Sequence, residues 1–305
     1  MKILLLGASG QIGFELLRVL GSRGELIPQA RSAFAPWPRM LCVDLSDLDT
    51  ALGRIAEAAP DLIVNAAAWT AVDAAESETA AAAVLNHHLP ARLAAYCAER
   101  GVTLVHLSTD YVFDGQQRTP YREDDPPAPL SAYGRSKRAG EVAIEASGAP
   151  ALIVRTSWVY SARRGNFVRT ILGRAAAGRP LKVVDDQIGR LTWARDIADG
   201  IGRLMHCRPR PAGAEYYHLA GADIGSWYDV AVRIVTAAVE VGLLASPVEV
   251  VPIASRDWPQ AAPRPAYAVL DCERLAKIAD YRAGGWCSLY LCLKEMSDAG
   301  WRTAG

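Results

Sequence analysis

The sequence has no apolar run of about 18 residues, the length needed to span a membrane, and no block of like charge. Its 33 basic and 33 acidic side chains give a formal net charge of zero. These absences argue against a membrane span and against the basic surface that nucleic acid requires. No charged and then apolar leader precedes the first strand. We therefore predict a cytoplasmic protein that binds neither membrane nor nucleic acid.

Paired cysteines and clustered metal ligands are also missing. The six cysteines are scattered without any Cys-x-x-Cys pair, and the five histidines lack ligand spacing. His87 and His88 are adjacent and cannot share one helix face, while His106 falls in a strand that looks buried. We predict reduced thiols, no disulfide and no metal site.

A glycine-rich turn follows the first apolar segment. The run from Met1 to Leu6 predicts a buried strand, and an amphipathic helix is predicted over 14–20. Between them, Gly7 permits a tight turn, Gly10 lets backbone N–H groups approach a pyrophosphate, and Gly13 lets the helix pack on the strand. This arrangement predicts a dinucleotide site, and the alternative is a turn kept only for packing.

The expected end of the second strand distinguishes the two nicotinamide cofactors. An NAD enzyme of this kind carries a carboxylate there to hold the ribose hydroxyls, but residues 26–32 contain none. They contain Arg31, which suits a 2′-phosphate. NADPH is therefore the predicted cofactor, with NADH left open and a solvated Arg31 as the alternative.

Strand and helix signals alternate through the first half of the chain. The pattern predicts an α/β fold of the Rossmann type, with a doubly wound parallel sheet and a smaller C-terminal substrate lobe. Residues 65–68 and 108–110 follow two of the strands and should border the site. Further strands are predicted over 39–44, 61–66, 103–108 and 151–157, and helices over 80–83, 91–100, 166–177 and 227–242.

Beyond Tyr160 the strand and helix signals no longer alternate regularly, and proline, arginine and tryptophan become more frequent. We expect an NAD(P)-binding domain over 1–160, rejoined by part of 193–220, and a mainly substrate-binding lobe over 161–305. A ligand held between two lobes is the usual arrangement. Arginine and tryptophan suit a nucleotide diphosphate, although most surface arginines are simply solvated.

Tyr133 and Lys137 pair a phenol with an ammonium one helical turn apart. A tyrosine alone holds its proton up to a pKa of about 10. Because residues i and i+4 lie on one helix face, we expect the Lys137 ammonium to favour the phenolate and lower that pKa. A hydroxyl from Thr109 would give a carbonyl oxygen a second donor. Two donors on one carbonyl oxygen suit reduction of a ketone rather than hydrolysis.

Several motifs together resemble the dTDP-4-dehydrorhamnose reductase family, within the extended short-chain dehydrogenase/reductase superfamily. The similarity spans most of the chain, and the segment around Thr109 is its most specific element. The motifs are Gly-Ala-Ser-Gly-Gln-Ile-Gly at 7–13, Asn-Ala-Ala-Ala-Trp-Thr-Ala-Val-Asp at 65–73, Ser-Thr-Asp-Tyr-Val-Phe-Asp-Gly at 108–115, Tyr-Gly-Arg-Ser-Lys at 133–137, Arg-Thr-Ser-Trp-Val-Tyr at 155–160, Gly-Asn-Phe at 165–167, Asp-Gln-Ile-Gly at 186–189 and Arg-Pro at 264–265.

The resemblance implies reduction of the C4 ketone of dTDP-4-dehydro-L-rhamnose to dTDP-L-rhamnose. It implies that Tyr133 donates the proton to the C4 oxygen, that Lys137 holds the nicotinamide ribose, and that Thr109 donates a hydrogen bond to the same carbonyl oxygen. It places Asp110 and Trp158 at the sugar nucleotide. Gly10, Gln11, Ile12, Asp44, Leu45, Ala66, Ala67 and Ala68 fall where the family holds the dinucleotide, with Asp44 near the adenine. The full predicted set of cofactor-binding residues adds Gly7, Gly13, Arg31, Ser108, Tyr133 and Lys137.

One departure from the family concerns metal. Some members bind magnesium at a dimer interface through acidic residues, and Glu15 matches one of these. Arg195 stands where a second carboxylate is expected. We therefore predict no structural metal and leave a homodimer open.

Four other functions remain open or are disfavoured at this point. Reduction of another 4-keto nucleotide sugar and 4-epimerisation both use the same tyrosine and lysine. A non-catalytic regulator, like the reductase-related subunit of methionine adenosyltransferase, would keep much of the motif set. Dehydration is disfavoured because Tyr111 stands where a dehydratase of this superfamily carries a glutamate.

Overall fold

The computed structural model describes residues 1–34 and 39–301. Seven strands form the central sheet and the other six form three small two-stranded sheets. The strands are β1 (Lys2–Leu6), β2 (Glu25–Ala30), β3 (Leu41–Cys42), β4 (Leu62–Asn65), β5 (Thr103–Thr109), β6 (Ala151–Thr156), β7 (Val159–Tyr160), β8 (Leu181–Val184), β9 (Ile188–Gly189), β10 (Thr192–Trp193), β11 (Ala214–His218), β12 (Gly225–Ser226) and β13 (Val250–Ile253).

Helices connect most of these strands. A π-helical turn over Val84–His88 joins α4 to α5, and short 3₁₀ turns cover Asp110–Val112 and Ser255–Asp257. The α-helices are α1 (Gln11–Leu20), α2 (Leu48–Ala58), α3 (Ala74–Ser77), α4 (Thr79–Ala83), α5 (Leu89–Arg100), α6 (Ala132–Ser147), α7 (Phe167–Ala176), α8 (Ala194–Cys207), α9 (Trp227–Glu240), α10 (Glu273–Ala279) and α11 (Trp286–Asp298).

The central sheet is parallel throughout, in the order β11-β6-β5-β4-β1-β2-β3. The chain runs from β1 out to β3 and then returns to start β4 on the other side of β1. This reversal leaves a crevice beyond the carboxyl ends of β1 and β4, where ligands of open α/β sheets bind. Gly7 and Asn65 stand at those two strand ends.

Strand β1 illustrates why the sheet is covered on both faces. Its side chains alternate, so Ile3 and Leu5 join one core while Leu4 and Leu6 join the other. The first core includes α1 and α8, and the second includes α2, α5 and the end of α6. A strand buried on both faces reads as a continuous apolar run, as this one does.

A third core lies in the C-terminal part, beyond the central sheet. Helices α7, α9 and α11 pack together there with β8, which pairs with β13. Helix α9 begins at a capping box, in which Ser226 accepts from the backbone of Asp229 and the Asp229 carboxylate accepts in return. This core supports the loops that face the crevice.

The predicted Rossmann-type α/β fold is confirmed, and most predicted elements match to within about two residues. The strand predicted over 39–44 is wrong in length, since β3 covers only Leu41 and Cys42. Asp44 ends it, because its Oδ1 accepts from the backbone N–H of Ser46, 2.9 Å away, and turns the chain. Among the described residues all six cysteines are free. No helix in these two ranges has the length and apolarity needed to cross a membrane.

Candidate active site

The turn after β1 is built around close backbone approach. Gly7 has φ +74°, and a Cβ there would lie 2.7 Å from the Ala67 nitrogen, on the far side of the crevice. A Cβ on Gly13 would lie 2.1 Å from the Gly7 carbonyl oxygen. Side chains are therefore excluded from both positions. The half-buried Ala66, Ala67 and Ala68 complete a floor of small residues at the N-terminus of α1.

Substituting Gly13 should separate the helix from this turn. Gly13→Ala is expected to lower the free energy of unfolding and weaken NADPH binding at least tenfold, because a backbone carbonyl blocks the new methyl group. Urea unfolding and fluorescence titration measure the two effects. Gly53→Ala is the matched control, since nothing lies within 4 Å of its Cβ position in α2. It should stabilise by about 0.5–1 kcal/mol. Equal losses in both variants would contradict the steric explanation.

Gln29 is a buried side chain that the sequence analysis missed. Its Oε1 accepts from the Gly7 N–H, 2.9 Å away, and its Nε2 donates to the Val43 carbonyl, 2.7 Å away. The Gly7 turn is thereby fixed to β2 and to the end of β3. A single glutamine in an apolar strand carries no sequence signal for this role.

A loop from the second half of the chain lies on the glycine turn. Gln11 Oε1 accepts from Ser161 Oγ at 2.9 Å and from Asn166 Nδ2 at 3.0 Å. Arg164 has φ +60° and donates through Nε to the Ser9 carbonyl, 3.0 Å away. These contacts join residues about 150 positions apart in the sequence. They bring a cationic side chain to the edge of the predicted pyrophosphate site.

The predicted adenine end of the crevice holds Arg31, Asp44 and Leu45. Arg31 is exposed just beyond β2, and Leu45 is buried. The Ser46 N–H and hydroxyl hold the pKa of Asp44 below its usual range, with a smaller contribution from Arg31. Arg31 therefore lies close enough to Asp44 for their charges to interact.

Ser108 and Thr109 end β5, Asp110 follows it, and all three are buried. Thr109 Oγ1 donates to Asp110 Oδ1 at 3.0 Å and accepts from the Tyr111 N–H at 3.2 Å. Asp110 Oδ2 has no hydrogen-bond partner in the described part of the chain, and burial raises the pKa of this carboxyl to about 7. Burial thus favours the protonated form of this carboxyl.

Helix α6 carries Tyr133, Lys137 and Glu141 on one buried face, at successive i+4 positions. The Thr109 hydroxyl lies close to the Tyr133 phenol. Burial raises the pKa of Tyr133 to about 12, and the Thr109 hydroxyl opposes that rise. Burial also lowers the pKa of Lys137 to about 8, against the opposing charge of Glu141.

The expectation that Lys137 lowers the pKa of Tyr133 is therefore wrong for this structure. Desolvation of the phenol outweighs any attraction by the ammonium. Lys137 Nζ instead donates to the Leu107 carbonyl, 2.7 Å away, and its closest side-chain partner is His106. Tyr133 thus holds its proton firmly and is arranged as a donor.

A buried ion pair holds α6 against the sheet. Arg155 donates to Glu141 through Nε and Nη2, both at 2.9 Å, and neither residue is more than 1% exposed. Arg155 lies on β6 opposite Ser108 in the strand register. Since Glu141 is two turns beyond Tyr133, this pair fixes the helix that carries the phenol.

Trp158 lies beyond β6 in an unusual backbone conformation, with φ +44°. Its ring stacks on Trp227 with centroids 3.7 Å apart, and it covers Gly189, where a Cβ would lie 2.6 Å from the indole. Packing on both sides therefore holds Trp158 half-buried at the substrate side. Trp227, at the start of α9, was not recognised from the sequence.

Arg195 lies between the two carboxylates of Glu15 and Glu295. Its Nε is 3.0 Å from Glu15 Oε2, and its Nη2 is 2.6 Å from Glu295 Oε2. No group of three potential metal ligands occurs within residues 1–34 and 39–301. A guanidinium between these acids does not fit a divalent cation at the position the resemblance implies.

A pocket of about 420 Å³ opens beside Arg264. Arg264 Nη2 donates to Asp73 Oδ2 at 2.7 Å, joining this lobe to the loop after β4. Burial raises the pKa of Tyr111, and the charge of Arg264 partly opposes that rise; the Tyr111 ring packs edge-on against Tyr133, with ring centroids 5.6 Å apart. The pocket therefore adjoins the catalytic candidates. Its wall includes Asp186, Gln187, Ser255, Arg256 and Trp258.

Comparison with known proteins adds an independent result. A family model described as "RmlD substrate binding domain" matches residues 1–297. The chain is 41% identical to a dTDP-4-dehydrorhamnose reductase of Burkholderia thailandensis, over 97% of this chain and 99% of the relative. It is 39% identical to a probable dTDP-4,6-dihydroxy-2-methyloxan-3-one 4-ketoreductase of Streptomyces antibioticus, over 93% and 92%.

A solved structure of similar shape comes from Bacillus anthracis. It is a dTDP-4-dehydrorhamnose reductase in complex with NADP, 29% identical, with a TM-score of 0.83. The match covers 98% of this chain and 99% of that one. Sequence and fold thus agree over nearly the whole length.

Proposed function

Because the chain belongs to the dTDP-4-dehydrorhamnose reductase family, we propose that it reduces the C4 ketone of dTDP-4-dehydro-L-rhamnose to dTDP-L-rhamnose. NADPH is the proposed reductant, with NADH as a possible substitute. The observation that carries the proposal is the meeting of Thr109 and Tyr133 at the carboxyl end of β5, on the same edge of the sheet as the glycine turn. This arrangement puts two hydroxyls at the crevice where the cofactor would lie.

The residues around the crevice fit a dinucleotide. A pyrophosphate needs bare backbone at a helix N-terminus, and Gly7 and Gly13 lie where a Cβ would collide with backbone. We assign the phosphates to Gly10, Gln11 and Ile12, and the adenine end to Arg31, Asp44 and Leu45. Ala66, Ala67, Ala68 and Ser108 would border the nicotinamide half.

When bound, NADPH supplies the hydride that goes to C4. Tyr133 donates its proton to the ketone oxygen, so that the carbonyl becomes an alcohol and the phenol becomes a phenolate. Thr109 holds the same oxygen by a hydrogen bond and keeps it near Tyr133. Lys137 orients the ribose. A tyrosine with a pKa of about 12 is a weak acid, which suits transfer only as the oxygen becomes strongly basic.

The pocket beside Arg264 is our candidate for the nucleotide diphosphate. Arg256 and Arg264 offer cations to the phosphates, and the indole of Trp258 is 40% exposed and available to stack on a base. Asp110 and Trp158 would contact the sugar between this pocket and Tyr133. The substrate would then span the crevice between the two halves of the chain.

We further propose that the dinucleotide unit comprises residues 1–160 with part of 193–220, and that 161–305 mainly bind substrate. Strand β11 at the sheet edge and α8 against α1 support this division. A cytoplasmic location accords with the proposed use of NADPH. A homodimer remains open, and we propose no nucleic-acid or membrane partner.

The test is oxidation of NADPH by the purified protein when dTDP-4-dehydro-L-rhamnose is generated in situ. We expect substrate-dependent loss of NADPH absorbance and formation of dTDP-L-rhamnose. If the protein binds NADPH but oxidises none of it, the assigned substrate is wrong. Reduction of another 4-keto dTDP-sugar is the second candidate, favoured by the similarity to the Streptomyces antibioticus relative. Tightly retained cofactor without net oxidation would indicate a 4-epimerase.

Arg31 should distinguish the two cofactors. Arg31→Ala is expected to weaken NADPH binding roughly tenfold and to leave NADH binding within about twofold, because only NADPH carries the 2′-phosphate. Fluorescence titration with each cofactor gives both dissociation constants. Arg54→Ala, an exposed arginine on α2, is the control and should change neither. Equal weakening of NADPH and NADH by Arg31→Ala would exclude a phosphate contact.

A further inference from the structure

A segment from the second half of the chain, residues 161–166, lies on the glycine turn and carries two arginines. Asn166 fixes its position through two contacts. Asn166 Oδ1 accepts from the Arg169 N–H at 3.2 Å and so caps α7, while Asn166 Nδ2 donates to Gln11 Oε1 at 3.0 Å. Ser161 Oγ donates to the same Gln11 oxygen at 2.9 Å. The N-terminus of α7 is thereby joined to the N-terminus of α1, the place assigned to the cofactor phosphates.

The Arg164 guanidinium lies beside the glycine turn with most of its donors unpaired. Its Nε donates to the Ser9 carbonyl oxygen, 3.0 Å away, within the turn itself. Among residues 1–34 and 39–301, no carboxylate pairs with Arg164, and neither Nη1 nor Nη2 has a hydrogen-bond partner. The N–H groups of both Nη atoms are therefore available to a ligand.

The backbone of Arg164 is also unusual. Its φ of +60° lies in the left-handed region, which costs free energy for a residue with a Cβ. Glycine would adopt this conformation without strain. Because Arg164 is exposed, packing does not require its side chain. A strained and exposed residue whose side chain reaches back to the glycine turn indicates a use for that side chain.

The N-terminus of α1 carries no negative group of its own. Gly10 occupies the N-cap position without a side-chain cap, and the first turn of α1 has no acidic residue. The N–H groups of Gln11 and Ile12 have no partner within the helix, as at any helix N-terminus. Backbone donors and the guanidinium of Arg164 thus lie at the same end of α1, and both favour an anion.

We infer that Arg164 is a cofactor-binding residue, whose Nη groups donate to the dinucleotide pyrophosphate together with the backbone of α1. The inference rests on the proposed use of a nicotinamide dinucleotide. A guanidinium suits this role because its N–H groups can bond two phosphate oxygens at once. The cofactor is then held by the glycine turn and also by the proposed substrate-binding part of the chain. Arg163 does not share this role, since its guanidinium lies over the Phe14 ring, 4.0 Å from the centroid.

Fluorescence titration of the purified protein with NADPH and with NADH tests the inference. Arg164→Asn removes the cation, and asparagine adopts a positive φ more readily than most residues. We expect both cofactors to bind roughly tenfold more weakly, because both contain the pyrophosphate. Arg31→Ala, by contrast, should weaken NADPH alone. A loss confined to NADPH, or no loss for either cofactor, would overturn the inference.

Two comparisons separate a phosphate contact from a change in the position of the loop. Arg163→Ala removes the same charge from the neighbouring residue and should alter both dissociation constants by less than about twofold, because an exposed charge without a direct contact is screened. Added salt should weaken NADPH binding less steeply in Arg164→Asn than in wild type, whereas Arg163→Ala should keep the wild-type salt dependence. Equal effects of the two substitutions on affinity and on salt dependence would contradict a direct contact. The urea midpoint of Arg164→Asn should stay close to that of wild type.

These titrations need no sugar nucleotide, so a wrong assignment of the sugar substrate does not affect them. If wild type binds both dinucleotides and Arg164→Asn binds them equally well, the inference alone is wrong. If wild type binds neither dinucleotide, the proposed cofactor and the inference are both wrong.

Discussion

Replacing Tyr133 by phenylalanine is expected to lower kcat by roughly 10²–10⁴-fold and to change the dissociation constant of NADPH by less than about threefold. The variant keeps the ring packed against Tyr111 and removes only the proton that the ketone oxygen receives. Steady-state kinetics and fluorescence titration separate the two quantities. A kcat close to wild type would exclude Tyr133 as the proton donor.

Tyr217→Phe is the control for loss of a buried phenol. Tyr217 is 1% exposed, and its hydroxyl donates to Glu215 at 2.6 Å on β11. We expect kcat to stay within about twofold of wild type.

The pH profile of kcat gives a second test of the proposed roles. Because the pKa of Tyr133 is about 12 and that of Lys137 about 8, activity should fall above about pH 8 as Lys137 loses its proton, while Tyr133 remains protonated.

Replacing Arg155 by methionine should cost about 3–5 kcal/mol of unfolding free energy at pH 7. The substitution leaves the carboxylate of Glu141 buried, and in the described part of the chain the partly exposed Arg138 is its remaining ion-pair partner. Urea unfolding measures the loss. The double variant Arg155→Met with Glu141→Gln should recover a large part of it, because no charge then remains buried. A single variant as stable as wild type would contradict this account.

Measurements at acid pH distinguish the effect of the unpaired, buried Glu141 carboxylate in Arg155→Met from a simple loss of packing. In wild type, burial raises the pKa of Glu141, but the hydrogen bonds and charge of Arg155, with smaller contributions from Ser108 and Arg138, together lower it below the usual range. The pair therefore stabilises the fold above the unfolded pKa, near 4.3, and this contribution is lost as pH falls through the folded pKa. In Arg155→Met the folded pKa is raised instead, so protonation relieves the penalty. The difference between the two proteins should shrink towards pH 5, whereas a packing defect would be independent of pH.

Much of the fold was predictable because its local signals agree with its packing. The run before Gly7 is apolar at every position since β1 is buried on both faces, and the glycines mark positions where backbone approaches backbone. Thr109, Tyr133 and Lys137 were recognised as a group from helical spacing and motif. The structure brings Thr109 and Tyr133 together across about 24 residues of sequence.

The remaining features depend on distances that no local pattern encodes. Gln11 meets Ser161 and Asn166 only because the second half of the chain folds back over α1. Trp158 stacks on Trp227 with an unusual positive φ, and nothing in the local sequence predicts that φ. The direction of the Tyr133 pKa shift was missed because spacing reveals a nearby cation but does not reveal how completely water is excluded.

The position of β11 has a consequence for how the protein is made. Strand β6 is an edge until β11 pairs with it, and the buried face of α1 is uncovered until α8 arrives. A ribosome therefore releases most of the nucleotide-binding sheet long before the last strand emerges with His218. Until β11 and α8 are made, the nascent chain has an unpaired edge at β6 and an exposed apolar face on α1, and such a state is prone to aggregation. Truncated proteins that end before β11 should keep this unpaired edge and exposed apolar surface permanently.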